Sequence, residues 1–180
     1  MKLHLGCGNM YLKGYVNVDC FDMVVGDTSR AGCRYDVKAN ILTLPFKENT
    51  VSRILMIHVL EHFYRWETLS LIKDFYRVLK KHSLLYIEMP DLDKCIEWYM
   101  KDGRLGGKTI KTPLGRLNKG FTQLYGNQWS GLVYEVHKYV WSKSEIVEVL
   151  SPYFEVKDIN NKPKYHMKDR DMQIIAVVKK

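Results

Sequence analysis

Two groups of residues in this chain combine types and spacings that can do chemistry. The first is Gly6-Cys7-Gly8, reached directly from the apolar run Leu3-His4-Leu5, together with Asp19 at the end of Val16-Asn17-Val18. A strand that ends in two glycines lets main chain approach a ligand where any Cβ would collide, and it leaves N–H groups pointing outward. An acidic residue closing the second strand of a doubly wound sheet accepts hydrogen bonds from ribose hydroxyls. A dinucleotide fingerprint would need a third glycine where Tyr11 stands. The pattern therefore predicts a bound nucleoside without requiring a pyrophosphate, the alternative for Asp19 being an ordinary strand-end turn.

The second group is His58, Glu61 and His62, at i, i+3 and i+4, which share one face if the segment is helical. With His137 arriving from elsewhere, imidazole and carboxylate at this spacing could hold a divalent cation that binds hydroxyls and lowers their pKa. Lining a cavity and capping the following helix is the plainer use of the same residues. For proton transfer His137 comes first, because an imidazole titrates close to neutral pH and this one stands in a loop ahead of a capped helix. Its alternative is a structural histidine that ties the loop to backbone. Asp91 comes next, although it also stands where a helix needs its N-cap, and His62 completes the set.

The elements that position these groups follow from periodicity. Only Met10 to Tyr15 separates the glycine turn from the strand Val16 to Asp19, so the first helix is cut to a turn or two. Phe21 to Arg34 reads as irregular, and Tyr35 to Val37 as a short element. Val51 to Ile57 is apolar apart from Ser52 and Arg53, as a buried parallel strand should be. Trp66 to Leu79 places Leu69, Ile72, Phe75, Tyr76 and Leu79 at helical spacing, and Leu84 to Met89 is the next strand, stopped by Pro90. Asp91 to Lys101 reads as a helix capped by Asp91. Ser142 and Glu145 have capping-box spacing ahead of a helix to Leu150. Tyr153 to Ile159 and Ile174 to Val178 are two late strands with no helix between them. This succession predicts a single α/β domain over residues 1–180, its doubly wound sheet mostly parallel with an antiparallel strand near the C-terminal end.

Composition bounds the partners. The net charge of +8 suggests anionic ones, and its distribution is more informative than its total. Lys101, Arg104, Lys108, Lys111, Arg116 and Lys119 fall together among glycines with Asp102 the sole acid, so residues 102–120 read as a basic Gly-rich loop. Such a loop is either a solvated connector or a lid that attracts a phosphorylated or acidic substrate. A nucleic-acid partner is disfavoured, since the aromatic-plus-basic signature of a reading surface is missing. No apolar stretch reaches the length of a membrane helix, and a signal-peptide layout is absent, so a cytoplasmic protein is expected. Cys7, Cys20, Cys33 and Cys95 lack metal-ligand spacing and read as reduced and structural.

Taken together, these residues resemble class I S-adenosylmethionine-dependent methyltransferases, most nearly the small type associated with polysaccharide and glycan biosynthesis. The resemblance rests on Leu3 to Gly8, Asn17-Val18-Asp19, Leu44-Pro45-Phe46, and the strand ending in His58-Val59-Leu60-Glu61-His62. Arg77 to Lys80 before Leu84 to Ile87, and His137-Lys138-Tyr139-Val140-Trp141-Ser142, add to it. It implies a Rossmann-like fold and S-adenosylmethionine as cofactor, with Gly6, Cys7 and Gly8 along methionine and ribose and Asp19 on the ribose hydroxyls. Family members usually carry an aspartate five residues before the proline, on the adenine amine; here it is Asn40, whose amide oxygen can still accept. Ile41 would pack beside the ring and His58 beside the methionine end. The shortened first helix implies an open cofactor pocket, in either a minimal enzyme or a domain excised from a longer protein fused to others. The activity implied is O-methylation of a sugar hydroxyl on a glycan or a sugar precursor, anionic or nucleotide-linked. A small-molecule amine or RNA acceptor, or a non-catalytic binding module, are the alternatives.

Overall fold

The computed structural model describes residues 1–20, 34–102, 109–112, 115–128 and 132–180. Among them seven strands form one sheet: β1 (Lys2–Leu5), β2 (Val16–Asp19), β3 (Val37–Lys38), β4 (Val51–Ile57), β5 (Leu79–Pro90), β8 (Phe154–Asn160) and β9 (Asp171–Val178). Their order is β3-β2-β1-β4-β5-β9-β8. β1 to β5 are parallel where they pair, with Leu3 beside Val16 on one side and Ile54 on the other. β9 runs antiparallel to both β5 and β8, as the last two apolar runs of the sequence suggest. The chain reverses direction across the sheet between β1 and β4, and that crevice is where open α/β sheets bind ligands.

Burial explains the strand sequences. Leu3, Leu5, Ile54, Met56, Leu85, Ile87, Ile174 and Ala176 join one core with Leu71, Ile72 and Phe75 of helix α1 (Arg65–Val78). Ile146 and Leu150 of α4 (Lys143–Leu150) complete that core. α4 carries the expected capping box: Ser142 Oγ accepts from Glu145 N at 3.3 Å, and Ser142 N donates back to the Glu145 carboxylate at 3.2 Å. Between them lie α2 (Leu92–Asp102), a hairpin of β6 (Thr109–Thr112) and β7 (Gly115–Asn118), and α3 (Lys119–Tyr125).

Three expectations need correction. Met10 to Tyr15 forms no helix. The buried Asn17 side chain stands in for one, accepting from Leu12 N at 2.9 Å and donating to Leu12 O at 3.1 Å and Tyr15 O at 3.2 Å. β5 begins at Leu79, directly from α1, and shifts register between the Val51 and Arg53 pairings before the stretch that periodicity identified. Residues 102–120 are not simply a loop: Thr109 pairs with Asn118 and Thr112 with Gly115, where β-branched Thr109, Ile110 and Thr112 favour extended backbone. Phe21 to Cys33, and residues 103–108 and 113–114 of the basic stretch, lie outside the described residues. No helix among the described residues is long and apolar enough to cross a membrane.

Candidate active site

A cavity of about 400 Å³ opens at the C-terminal ends of β1, β2 and β4. Gly6, Asp19, Asn40, Ile41, His58 and His62 line it. Gly6 has φ +63°, and a Cβ there would come within 2.5 Å of Val59 Cγ2, so only glycine fits on both counts. The turn does not leave its amides outward as expected. Gly6 N and Cys7 N both donate to Val18 O, at 2.9 and 3.2 Å, and Gly8 N donates to Asp19 Oδ2 at 2.8 Å. Cys7 and Gly8 therefore support the cavity wall from behind, and Gly6 alone of the three presents main chain to it. Asp19 is buried and also accepts from Cys20 N at 2.8 Å. Each oxygen of a carboxylate can accept more than one hydrogen bond, so this anchoring is compatible with hydroxyl recognition. Asn40 Oδ1 accepts from Leu42 N at 3.0 Å, a local turn that puts Ile41 in the cavity wall.

His58 directly follows β4 in the left-handed region, at φ 53°, with its N–H donating to Glu88 O at 2.9 Å. Its Nδ1 lies 2.8 Å from Glu61 Oε1 and its Nε2 2.7 Å from Asp171 Oδ2. Burial disfavours a charged ring, but the Glu61 charge and the Asp171 hydrogen bond outweigh it and raise the His58 pKa to about 9. Glu61 is fully buried, which would push its pKa up, yet the His58 charge pulls it down to about 2. Asp171, also buried, is held well below the carboxylate range by His166, His58 and Arg170. Arg170 Nη2 stands 3.0 Å from His58 Nε2, so a guanidinium already neutralises this corner. As a possible ligand His58 groups with His166 and Asp171, and the group of Glu61, His62 and His137 does not include it. It leaves the ligand set in which the sequence placed it.

Of the three candidate bases, only His62 reaches the cavity. Its Nδ1 lies 3.1 Å from Val136 O. His137 stands behind it, rings 5.3 Å apart and edge to face, with Nδ1 3.1 Å from Gln123 O. Burial lowers the His137 pKa to about 4. Asp91 is buried away from the cavity. It caps α2 through Asp93 N at 3.1 Å, accepts from Asn161 Nδ2 at 2.7 Å and pairs with Lys143 Nζ at 2.9 Å. Its geometry is that of a tie between α2, α4 and the β8–β9 connection.

The residues on the far side of the cavity were mostly missed. Phe63, Glu67, Val133, Tyr134 and Lys138 line it. Lys138 N and Tyr139 N both donate to Glu61 O, at 2.8 and 3.2 Å, folding residues 132–139 over the turn Leu60–His62. No spacing rule links positions 61 and 138, so this strap had no sequence signal.

Residues 3–87 match the family model of a methyltransferase domain. A structure of an S-adenosylmethionine-dependent methyltransferase from Methanosarcina mazei shares the fold, with a TM-score of 0.61 and 18% identity over 98% of this chain and 91% of that one. Over residues 3–87 this chain carries a methyltransferase domain, on the fold of S-adenosylmethionine-dependent methyltransferases. The PH0226 protein of Pyrococcus horikoshii is similar to it, with a TM-score of 0.64 and 18% identity over 98% and 81% of the two chains. So is a candidate histamine N-methyltransferase from Thermotoga maritima, with a TM-score of 0.60 and 16% identity over 99% and 81%. No curated protein matches the sequence. The cofactor of the methyltransferase is S-adenosylmethionine, and the cavity suits it: bare main chain at Gly6, a buried carboxylate at Asp19 and an apolar side chain at Ile41.

Proposed function

We propose that the methyltransferase acts on a sugar hydroxyl, free, nucleotide-linked or at the end of a glycan. One observation carries the reading. His62 lines the cavity with its Nδ1 turned to Val136 O, so that in the neutral ring the lone pair sits on Nε2. Glu67, Lys138 and Tyr134 lie on the same side, and hydrogen-bonding groups beside an aromatic ring suit a polyhydroxylated acceptor.

Bound S-adenosylmethionine supplies a sulfonium methyl that is already electrophilic. The chain must bind, orient and take a proton. Asp19 would hold the ribose hydroxyls, Asn40 and Ile41 would face adenine, Gly6 would pass along the ribose, and His58 would stand beside the methionine end. His62 Nε2 would accept the proton of the acceptor hydroxyl.

Glu67 with Phe63 and Tyr134 would also suit a cationic amine, the acceptor class named for the Thermotoga neighbour. Transfer of labelled methyl across glycans, amines and RNA separates these readings. Transfer to sugars alone is expected, with His62→Ala lowering kcat by about 100-fold or more. Calorimetry that detects neither S-adenosylmethionine nor S-adenosylhomocysteine binding would overturn the cofactor reading. Binding without transfer to any acceptor would leave a non-catalytic module.

A further inference from the structure

We propose that Glu61, His62 and His137 form a three-ligand site for a divalent transition metal of the zinc type, set in the wall of the cofactor cavity. One potential ligand atom from each residue lies within 4.8 Å of the other two. The residues come from two segments, the Leu60–His62 turn and the strap over it, and the Glu61 carbonyl pins the two together through Lys138 N and Tyr139 N.

Two independent features point to a cation. Both histidines have Nδ1 against a backbone carbonyl, Val136 O for His62 and Gln123 O for His137, each at 3.1 Å. That contact fixes the tautomer with hydrogen on Nδ1 and leaves Nε2 as ligand, the arrangement in which metal-bound histidines are held by their surroundings. The second is Glu61 itself. It is buried; its Oε1 pairs with His58 Nδ1 at 2.8 Å, while its Oε2 meets no hydrogen-bond donor among the described residues. A buried carboxylate oxygen without a donor is costly, and a metal ion would satisfy it.

Two imidazoles and one carboxylate suit zinc or cobalt better than magnesium, which prefers oxygen. Three protein ligands leave a coordination position open, as in catalytic zinc sites. His62 lines the cavity, so a metal held there would stand close to a bound acceptor. The use of the site rests on the methyl-transfer reading. His62 Nε2 would then hold the metal instead of the proton. The acceptor oxygen would bind the metal and lose its proton to water, the oxygen–methyl bond forming as the sulfur–methyl bond breaks to leave a neutral thioether.

The test is metal binding by the full chain without any cofactor, so that its failure is distinct from failure of the transferase reading. Apo protein is titrated with Zn²⁺ against a chromogenic chelator and with Co²⁺ by visible absorption, and circular dichroism checks each variant's fold. One tight Zn²⁺ per chain and cobalt bands of a low-coordinate N,O site are expected, with affinity falling by about 100-fold in His62→Ala and in His137→Gln. His166→Ala, in the neighbouring His58, His166 and Asp171 group, should leave binding unchanged. Absence of binding at micromolar Zn²⁺, or binding that survives both ligand substitutions, would overturn the site. Loss of binding in His166→Ala alone would do the same.

Discussion

Gly6→Ala tests whether the glycine turn is shaped by the fold or by the ligand. The substitution meets two separate costs. At φ +63° a residue with a side chain loses about 1–2 kcal/mol to the left-handed region. The new Cβ would also lie 2.5 Å from Val59 Cγ2 and 2.8 Å from Cγ1, a collision with a nearly buried side chain that costs about 1–3 kcal/mol to relieve. The sum, about 2–5 kcal/mol, is a large part of what a domain of this size can lose. Val59→Ala alone removes two methyl groups and should cost about 2 kcal/mol. In the double variant the methyl introduced at position 6 enters the space that Val59 vacates, so the collision vanishes and only the backbone cost remains. Urea unfolding of the four proteins measures the coupling, expected to favour the double variant by about 1–3 kcal/mol. Additive costs within about 0.5 kcal/mol would refute the argument, because they would mean the two positions do not meet.

Asp19→Ala removes the carboxylate that faces the cavity and braces Gly8 N. S-adenosylhomocysteine affinity should fall by about 10- to 100-fold by calorimetry, the loss of one or two charge-assisted hydrogen bonds. Asp91→Ala strands Lys143 and uncaps α2, so the unfolding midpoint should drop with a cost of about 2–4 kcal/mol while kcat per folded molecule stays unchanged; a loss of kcat in folded protein would restore Asp91 as a catalytic candidate. His4 is buried with Nδ1 3.2 Å from Asn17 Oδ1, and burial lowers its pKa below the ordinary 6.5, against the opposing pull of Asn17 and Asp19. The unfolded chain takes up that proton where the folded one does not, so stability is full above pH 6.5 and is lost as pH falls below it. Urea midpoints between about pH 7.5 and 5.5 should fall less steeply in His4→Gln than in the parent chain, and equal slopes would refute the assignment.

Much of the fold was legible because local pattern and burial agree. β4 reads as a continuous apolar run because both its faces are covered, and Ser142 with Glu145 marks the start of α4 through contacts confined to four residues. The connection after Gly8 was harder. A helix was expected by habit of the fold, but the residues available are few, and Asn17, apparently an ordinary strand residue, closes the turn through its side chain. The hairpin within 102–120 was obscured by glycines and charges, which signal loop while saying nothing of strand pairing at a distance.

At the site, the sequence by itself determined the cofactor half: Gly6 and Asp19 are recognisable because strand, turn and strand are local and their chemistry follows from position in the pattern. It also brought His58, Glu61, His62 and His137 forward as a group. Only the tertiary structure decided what each does. Asp171 is 113 residues from His58, and its carboxylate 2.7 Å from that ring ties His58 to a different cluster from the other two imidazoles. Val136 and Gln123 carbonyls turn the other two imidazoles toward Glu61 from segments that no periodicity connects. Protonation and ligation depend on which charges and carbonyls lie within about 3 Å, and those neighbours are assigned by the folding of distant segments onto one another.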